Sequence, residues 1–187
     1  MRQFLLALCL FAAGCSNVTP ANFKGTTPEL KLEEYFAGPG VAHGMVQDRS
    51  GKIIKSFVVD LNGVWDAATQ TLTLQEDFVY NDGTTEQRIW KLTKSDGNKW
   101  QGAAHGVVGL AKGEAAGNAF YMNYVFDLPY KNSTVRVKFD DWMFLQPDGV
   151  LINRAVMSKW GYKLADITIS FQKGGQGGGV KTAAPNQ

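Results

Sequence analysis

Two acidic residues and one arginine interrupt the apolar pattern of a predicted hairpin. Residues 134–160 contain two strand-like segments joined by a QPDG turn at 146–149. Asp140 and Asp141 precede this turn, and Arg154 follows it. A charge between apolar strand residues must be paired or face water. The pattern predicts either a buried cluster that binds the polar end of a ligand or, the simpler alternative, a structural pair that fixes strand register.

The register of this hairpin decides which side chains meet. A two-residue loop places Asp141 opposite Arg154. A bulge at Gly149 instead places Trp142 opposite Arg154, with Asp140 diagonal to the arginine. If loss of the arginine leaves a buried carboxylate unpaired, Arg154→Leu should lower the free energy of unfolding by roughly 3–5 kcal/mol.

A second acidic cluster lies before another turn signal. Glu76 and Asp77 are adjacent on a predicted strand, so they point to opposite faces and form no ready acid–base pair. Arg88, across the NDG turn, is placed to neutralise one of them. These three residues are therefore candidates for a structural ion pair among solvated charges at a sheet edge.

Aromatic residues are abundant, at 12% of the chain. Trp90, Tyr124 and Trp142 are the aromatic candidates for lining a ligand pocket. The alternative is that they only fill a core. With Asp140, Asp141 and Arg154 they make up the candidate ligand site.

Other chemistry lacks support in the sequence. His43 and His105 are the only histidines, and neither has the spacing of a metal site or a companion cysteine. There is no GxSxG motif and no phosphate-binding P-loop, so no catalytic residue, metal or cofactor is assigned. The formal net charge is +2 without a basic patch, which argues against nucleic acid. The sequence favours a non-enzymatic role.

Alternating apolar and polar segments separated by turn residues predict an all-β fold. The strands are expected at 41–47, 53–65, 71–80, 85–93, 100–110 and 117–128, in both arms of the hairpin, and at 162–172. Short connections favour an antiparallel up-and-down barrel of about nine or ten strands, lipocalin-like, over a sandwich. Such a barrel domain would span 29–173 and hold one small apolar ligand.

The N-terminus predicts export and a lipid anchor. Residues 1–14 combine a basic start, a short apolar stretch and small residues, which is typical of a signal peptide. The ending AAGC resembles a lipobox, so Cys15 is expected to carry lipid and an acyl chain such as palmitate. Ser16 in the next position implies, by resemblance to enteric lipoproteins, sorting to the outer membrane, with the body in the periplasm.

The flanking segments are expected to be less regular than the barrel. Residues 15–28 read as a lipidated, flexible tether, and the Gly-rich tail 174–187 as disordered. Residues 30–36 fit a short helical turn capped by Thr27, or alternatively a strand; the helical turn is favoured. A monomer is expected.

Several segments together resemble the DUF3833 family of bacterial envelope lipoproteins. They are YFAG, QDRSGKI, LQEDFVYNDG, RIW, GNAF, FDDWMF, LINRAVMSKWG and ITISFQK, which fall between about 34 and 173. The resemblance implies a lipocalin-type barrel and a lipid-related role in the envelope, since members tend to accompany fatty-acid-modifying enzymes. It supplies no established activity.

Three functions remain open at this point. The favoured one is an outer-membrane-anchored barrel that binds or delivers a fatty acyl or similar apolar molecule. The second is an enzyme acting on a modified lipid with Asp140, Asp141 and Arg154. The third is a structural or assembly lipoprotein, which predicts a barrel packed solid with side chains.

Overall fold

Ten antiparallel strands close into one barrel in the computed structural model, which describes residues 18–174. The strands are β1 (Gly38–Asp48), β2 (Ile53–Asp66), β3 (Thr71–Tyr80), β4 (Thr85–Lys94), β5 (Lys99–Ala103), β6 (Val107–Ala116), β7 (Ala119–Tyr130), β8 (Ser133–Leu145), β9 (Leu151–Lys159) and β10 (Tyr162–Lys173). Each strand pairs with its neighbour in sequence, and β10 pairs with β1. The predicted up-and-down barrel is therefore confirmed, and closure leaves no unpaired sheet edge.

The glycine-rich segment from 100 to 110 departs from the single bent strand that the sequence predicts. It forms two strands, β5 and β6, joined by a turn at 104–106. Gly106 adopts a φ of +86°, and a Cβ there would lie 2.5 Å from the Phe126 ring. Only glycine fits both this backbone conformation and this close approach, so the chain reverses here.

Two short helical turns precede the barrel. A 3-10 helix spans Pro20–Phe23, and α1 spans Leu32–Tyr35. The helical alternative for residues 30–36 is thus confirmed, but the expected cap is wrong. The N-cap of α1 is Lys31 rather than Thr27, and its side chain makes no capping hydrogen bond.

The described part of the expected flexible tether packs on the barrel wall. The Phe23 ring lies 5.6 Å from Trp142 and 5.4 Å from Phe144, measured between ring centroids. The Thr26 hydroxyl and the Asn118 side-chain oxygen are 2.7 Å apart. An aromatic anchor in a polar segment explains the difference, because burying its apolar surface offsets the cost of ordering the chain. The signal peptide, Cys15 and the tail from 175 onward lie outside the described residues.

One end of the barrel, here called the plugged end, is covered by residues 30–36. Leu30, Leu32 and Phe36 are 2%, 1% and 6% exposed. The Tyr35 hydroxyl donates to the carbonyl oxygens of Gly149 and Phe171 at 3.1 and 3.0 Å. These contacts fix the helical turn across the mouth, so the apolar face of α1 completes the core at this end.

The opposite end, here called the open end, carries the other set of turns. They fall between β1 and β2, β3 and β4, β5 and β6, β7 and β8, and β9 and β10. Trp160 and Tyr162 at this rim are 87% and 73% exposed. Among residues 18–174, no helix has the length and apolar character needed to cross a membrane.

Candidate functional site

Charged and hydroxyl groups meet inside the barrel about halfway along its axis. Side chains alternate between the two faces of a strand, and on β3 the inward series is Leu72, Leu74, Glu76 and Phe78. On β4 the inward series includes Arg88, which pairs directly with Glu76 across the ladder. Asp141 of β8 and Tyr124 of β7 face the same space from the other side of the barrel. We call Glu76, Arg88, Tyr124 and Asp141 the lumen cluster.

Arg88 is held firmly within the lumen cluster. Its guanidinium carbon lies 5.0 Å from the Phe78 ring centroid and 5.3 Å from that of Phe126, so two aromatic rings flank the cation. Its Nη2 donates to Glu86 Oε1 at 2.5 Å, and Glu86 Oε2 accepts a bond from Tyr80 at 2.7 Å. Arg88 Nε is buried and has no hydrogen-bond partner within residues 18–174.

Glu76 is the least satisfied acid of the cluster. No hydrogen bond from any described residue reaches its carboxylate, although Arg88 stands opposite. Burial raises the pKa of Glu76 to about 7; Arg88 opposes this rise, and the charges of Asp141 and Glu86 add to it. The carboxyl group therefore exchanges its proton near neutral pH, which is unusual for glutamate.

Asp141 is better supported than Glu76. Its side chain is buried, and it accepts a hydrogen bond from Asn153 Nδ2, which also contacts the Trp142 carbonyl oxygen at 3.1 Å. Burial raises the pKa of Asp141 to about 6, and the Asn153 bond partly offsets that rise. Asn153 is only 1% exposed, so its amide acts as a fixed internal donor.

Tyr124 connects the cluster to the aromatic lining. Its ring stacks on Phe139 at 5.0 Å and meets Trp90 edge-on at 5.4 Å. Burial first, and then the negative charge of Asp141, raise the pKa of the Tyr124 hydroxyl well above its usual value. The raised pKa keeps this hydroxyl protonated. It makes no hydrogen bond with residues 18–174, so it is free to donate one.

The lumen is filled unevenly along its length. Near the plugged end the inward side chains Leu72, Trp100 and Leu151 are at most 2% exposed. Glu76 and Tyr124 lie deep within the protein, yet both keep part of their surface accessible. Protein surrounds them on all sides, so this accessible surface must face space inside the barrel. The lumen cluster therefore borders space inside the barrel, on the side of the cluster away from the plugged end.

Three of the four ligand candidates from the hairpin point away from this space. Trp142 pairs opposite Arg154, which confirms the bulged register and places both on the outer face of the sheet. Asp140 accepts a bond from the Tyr121 hydroxyl at 2.6 Å and pairs with Lys138 at 3.0 Å. Of the predicted set, only Asp141, Tyr124 and Trp90 line the lumen.

This separation corrects two expectations. Asp140, Asp141 and Arg154 do not converge, because adjacent residues of β8 face opposite sides of the barrel wall. Arg154 is also exposed, so the carboxylate of Asp141 depends on Asn153 instead of on an arginine. The proposed catalytic trio is therefore ruled out as a single site.

The second acidic cluster divides as predicted, but with different surroundings. Asp77 faces outward and accepts bonds from Gln75 and Gln87, each at 2.7 Å. Glu76 and Arg88 were expected among solvated edge charges, and that expectation is wrong, since β3 and β4 lie within a closed barrel. The available signal was the alternation itself, because Glu76 continues the inward series of Leu72 and Leu74.

Three further lumen residues were not singled out from sequence. Tyr80 and Glu86 flank the NDG turn and hold the guanidinium from the side of the open end. Asn153 reads as an ordinary polar strand residue, and nothing in the sequence marks it as the buried partner of Asp141. Among residues 18–174, no group of three His, Cys, Asp or Glu residues is placed to hold a metal ion.

A separate cavity of about 230 Å³ lies outside the lumen, beside the plugged end. It is bounded by α1 and by strands β4 to β6, and its lining includes the ion pair of Glu33 and Lys94 together with Glu29, Lys31 and Glu34. The Lys94 ammonium also lies 5.6 Å from the Trp100 ring centroid. This ion pair helps to hold residues 30–36 in place at the plugged end. No residue that lines the cavity belongs to the lumen cluster, so the two sites are separate.

The closed antiparallel meander defines a lipocalin-like barrel. The structure of the S-type phycobiliprotein lyase CPES from Guillardia theta is similar, with a TM-score of 0.54 over 76% of this chain and 91% of that chain. The two sequences are 8% identical, so this similarity shows the fold alone. By sequence, the chain belongs to the family described as "Protein of unknown function (DUF3833)", which matches residues 9–173. No curated protein matches the sequence.

Proposed function

We propose that this protein is a lipoprotein, anchored through Cys15 in the outer membrane and facing the periplasm, that holds a fatty acyl or other apolar ligand in its barrel. The ligand enters at the open end, and its polar end rests on the lumen cluster. The plugged end stays closed, because Leu30, Leu32 and Phe36 complete the core there.

One observation carries this proposal. Glu76 and Tyr124 present unpaired polar groups to an internal space whose walls are otherwise largely aromatic and aliphatic. Neither group has a protein partner among residues 18–174, and both keep accessible surface, so both are available to hydrogen-bond a bound molecule. Small-molecule sites have this composition, with an apolar lining and a few convergent polar groups.

The similarity to the phycobiliprotein lyase supports the proposal at the level of architecture. Barrels of this class have interiors wide enough to hold one small ligand. A barrel packed solid would leave Glu76 and Tyr124 without accessible surface, which is not what the structure shows.

Mass spectrometry of molecules that copurify with the protein tests ligand binding. The variant Ile167→Trp fills the lumen, because Ile167 packs against the core from the inside of β10. Thr168→Trp adds the same ring to the outer face and serves as the control. We expect one enriched apolar molecule with the wild type and with Thr168→Trp, and its loss with Ile167→Trp. A wild-type extract without any enriched molecule would argue for a purely structural lipoprotein.

Anchoring is tested separately. Cells fed labelled palmitate should label the wild type and leave Cys15→Ser unlabelled, and globomycin should block maturation of the wild type alone. Membrane fractionation should then place the labelled form in the outer membrane. Labelling of Cys15→Ser, or normal processing under globomycin, would contradict a lipid anchor.

A further inference from the structure

Above pH 7, where Glu76 and Asp141 are both ionised, the charges inside the barrel are unbalanced toward the negative. Around the lumen cluster lie three carboxyl groups, Glu76, Glu86 and Asp141, and one guanidinium, Arg88. The guanidinium is matched by Glu86, which contacts its Nη2 directly. Lys55 lies nearer the open end, where its ammonium sits 3.7 Å from the Tyr80 ring centroid. The deep part of the lumen therefore holds acids that no described basic group contacts.

The lumen cluster has more unpaired hydrogen-bond acceptors than unpaired donors that a ligand could reach. Asp141 already receives the Asn153 amide, whereas the Glu76 carboxylate receives no donor from residues 18–174. Arg88 Nε would be the natural partner for an anion, but it is buried between the Phe78 and Phe126 rings and the carboxylate of Glu86. The accessible unpartnered groups are thus an acceptor at Glu76 and the hydroxyl of Tyr124.

From this arrangement we infer that the ligand presents a hydrogen-bond donor or a positive charge to Glu76, and that a free carboxylate is excluded. The inference rests on the proposed function, since it concerns the polar end of the same ligand. A donor would satisfy the Glu76 carboxylate by a charge-assisted bond. A carboxylate would instead meet Glu76 and Asp141, and like charges brought together in a dry site repel strongly. The ligand class is a lipid with an amine, amide or hydroxyl head.

Three probes with the same alkyl chain test this selectivity. At pH 8, above the pKa of Glu76, the full chain carrying Cys15→Ser is loaded with the neutral dye N-phenyl-1-naphthylamine, and dodecylamine, dodecanol and dodecanoate compete for the lumen. We expect dodecylamine to bind most tightly and dodecanoate most weakly. Their dissociation constants should differ by about tenfold or more, which corresponds to ~1.4 kcal/mol.

Two variants assign the selectivity to one residue. Glu76→Gln keeps the shape of the side chain and removes its charge. The ratio of the dissociation constants of dodecanoate and dodecylamine should therefore fall to about twofold or less. Asp77→Asn, on the outer face of the same strand, should leave this ratio unchanged. Asp141→Asn provides a second inward variant if Glu76→Gln folds poorly, and it should lower the ratio as well.

The outcomes separate this inference from the function beneath it. Tighter binding of dodecanoate than of dodecylamine, or an unchanged ratio in Glu76→Gln and Asp141→Asn, would overturn the selectivity and leave ligand binding intact. If neither the dye nor any of the three probes binds, the proposed function itself fails and the inference fails with it.

Discussion

Glu76 is the residue at which sequence, structure and proposed role meet most closely. A glutamate in an inward position normally requires a cation or a set of donors, because a buried charge without partners is costly. Here Arg88 stands opposite in the ladder, but its contact is with Glu86. The protein therefore keeps an acid of raised pKa inside an accessible lumen, at a cost in stability that ligand binding would offset.

The raised pKa of Glu76 predicts how stability changes with pH. The folded state binds the proton more tightly than the unfolded state, so the free energy of unfolding falls as pH rises from the ordinary value of 4.5 to about 7. Above that range the wild type should have lost roughly 2–3 kcal/mol through this group, less than the full shift implies because lumen water screens it. Asp141 adds a loss in the same direction up to a pH of about 6.

Urea titrations across this pH range test the assignment. Glu76→Gln should match the wild type at acidic pH and should exceed it in stability above the folded pKa of about 7. If the wild type and Glu76→Gln lose stability in parallel, the carboxyl group is ionised freely in the lumen and its burial is refuted.

The two arginines make a matched pair for a stability measurement. Arg88→Leu removes the cation facing Glu76 and Glu86, and it should lower the free energy of unfolding by about 3 kcal/mol. Arg154→Leu changes an exposed residue on the outer face and should alter stability by less than about 0.5 kcal/mol. The large loss of unfolding free energy that the sequence predicted for Arg154→Leu is thus expected for Arg88→Leu instead.

Guanidinium-induced unfolding of both variants at neutral pH gives the comparison. An Arg154→Leu loss as large as that of Arg88→Leu would mean that the hairpin carries a buried ion pair after all. The bulged register, with Trp142 opposite Arg154, would then be in error.

At the scale of elements, turn chemistry and alternation carried most of the prediction. The NDG turn after β3 and the QPDG turn after β8 gave strand ends that match the structure within a residue or two. The split between β5 and β6 could not be read from composition, because it depends on the Phe126 ring occupying the space beside Gly106. Similarly, the sequence around Phe23 is polar and predicts a flexible tether. The packing of Phe23 depends on Trp142 and Phe144, which are distant in sequence and lie on the outer face of β8.

The plug of residues 30–36 depends on a glycine in β2. A Cβ on Gly63 would overlap the Phe36 carbonyl oxygen, so Gly63→Ala should displace the plug and destabilise the protein by about 1–3 kcal/mol. The adjacent Val64 is 62% exposed, and Val64→Ala is the control. Limited proteolysis within 29–36 measures the displacement. Equal protection of this segment in both variants would show that the plug accommodates the methyl group.

At the scale of the whole molecule, the all-β class and the barrel were accessible from sequence, and the lumen cluster was not. Local pattern determines which face of a strand is apolar, but closure determines which strands face one another. Glu76 and Arg88 lie on neighbouring strands, whereas Asp141 and Tyr124 approach from the far side of the ring. Only the closed structure brings these four residues together. It also shows that Asp141 faces the lumen, whereas its sequence neighbours Asp140 and Trp142 face outward.

Photolabelling with an alkyl amine that carries a diazirine on its chain tests the central claim most directly. The claim is that an apolar ligand occupies the lumen with its polar end at Glu76. After illumination and peptide mapping by mass spectrometry, adducts should appear on inward residues on the open-end side of the cluster, such as Phe139 and Met157, and should disappear when unlabelled dodecylamine is added. Adducts confined to outer-face residues such as Trp142 and Phe144, or labelling that dodecylamine does not reduce, would contradict it.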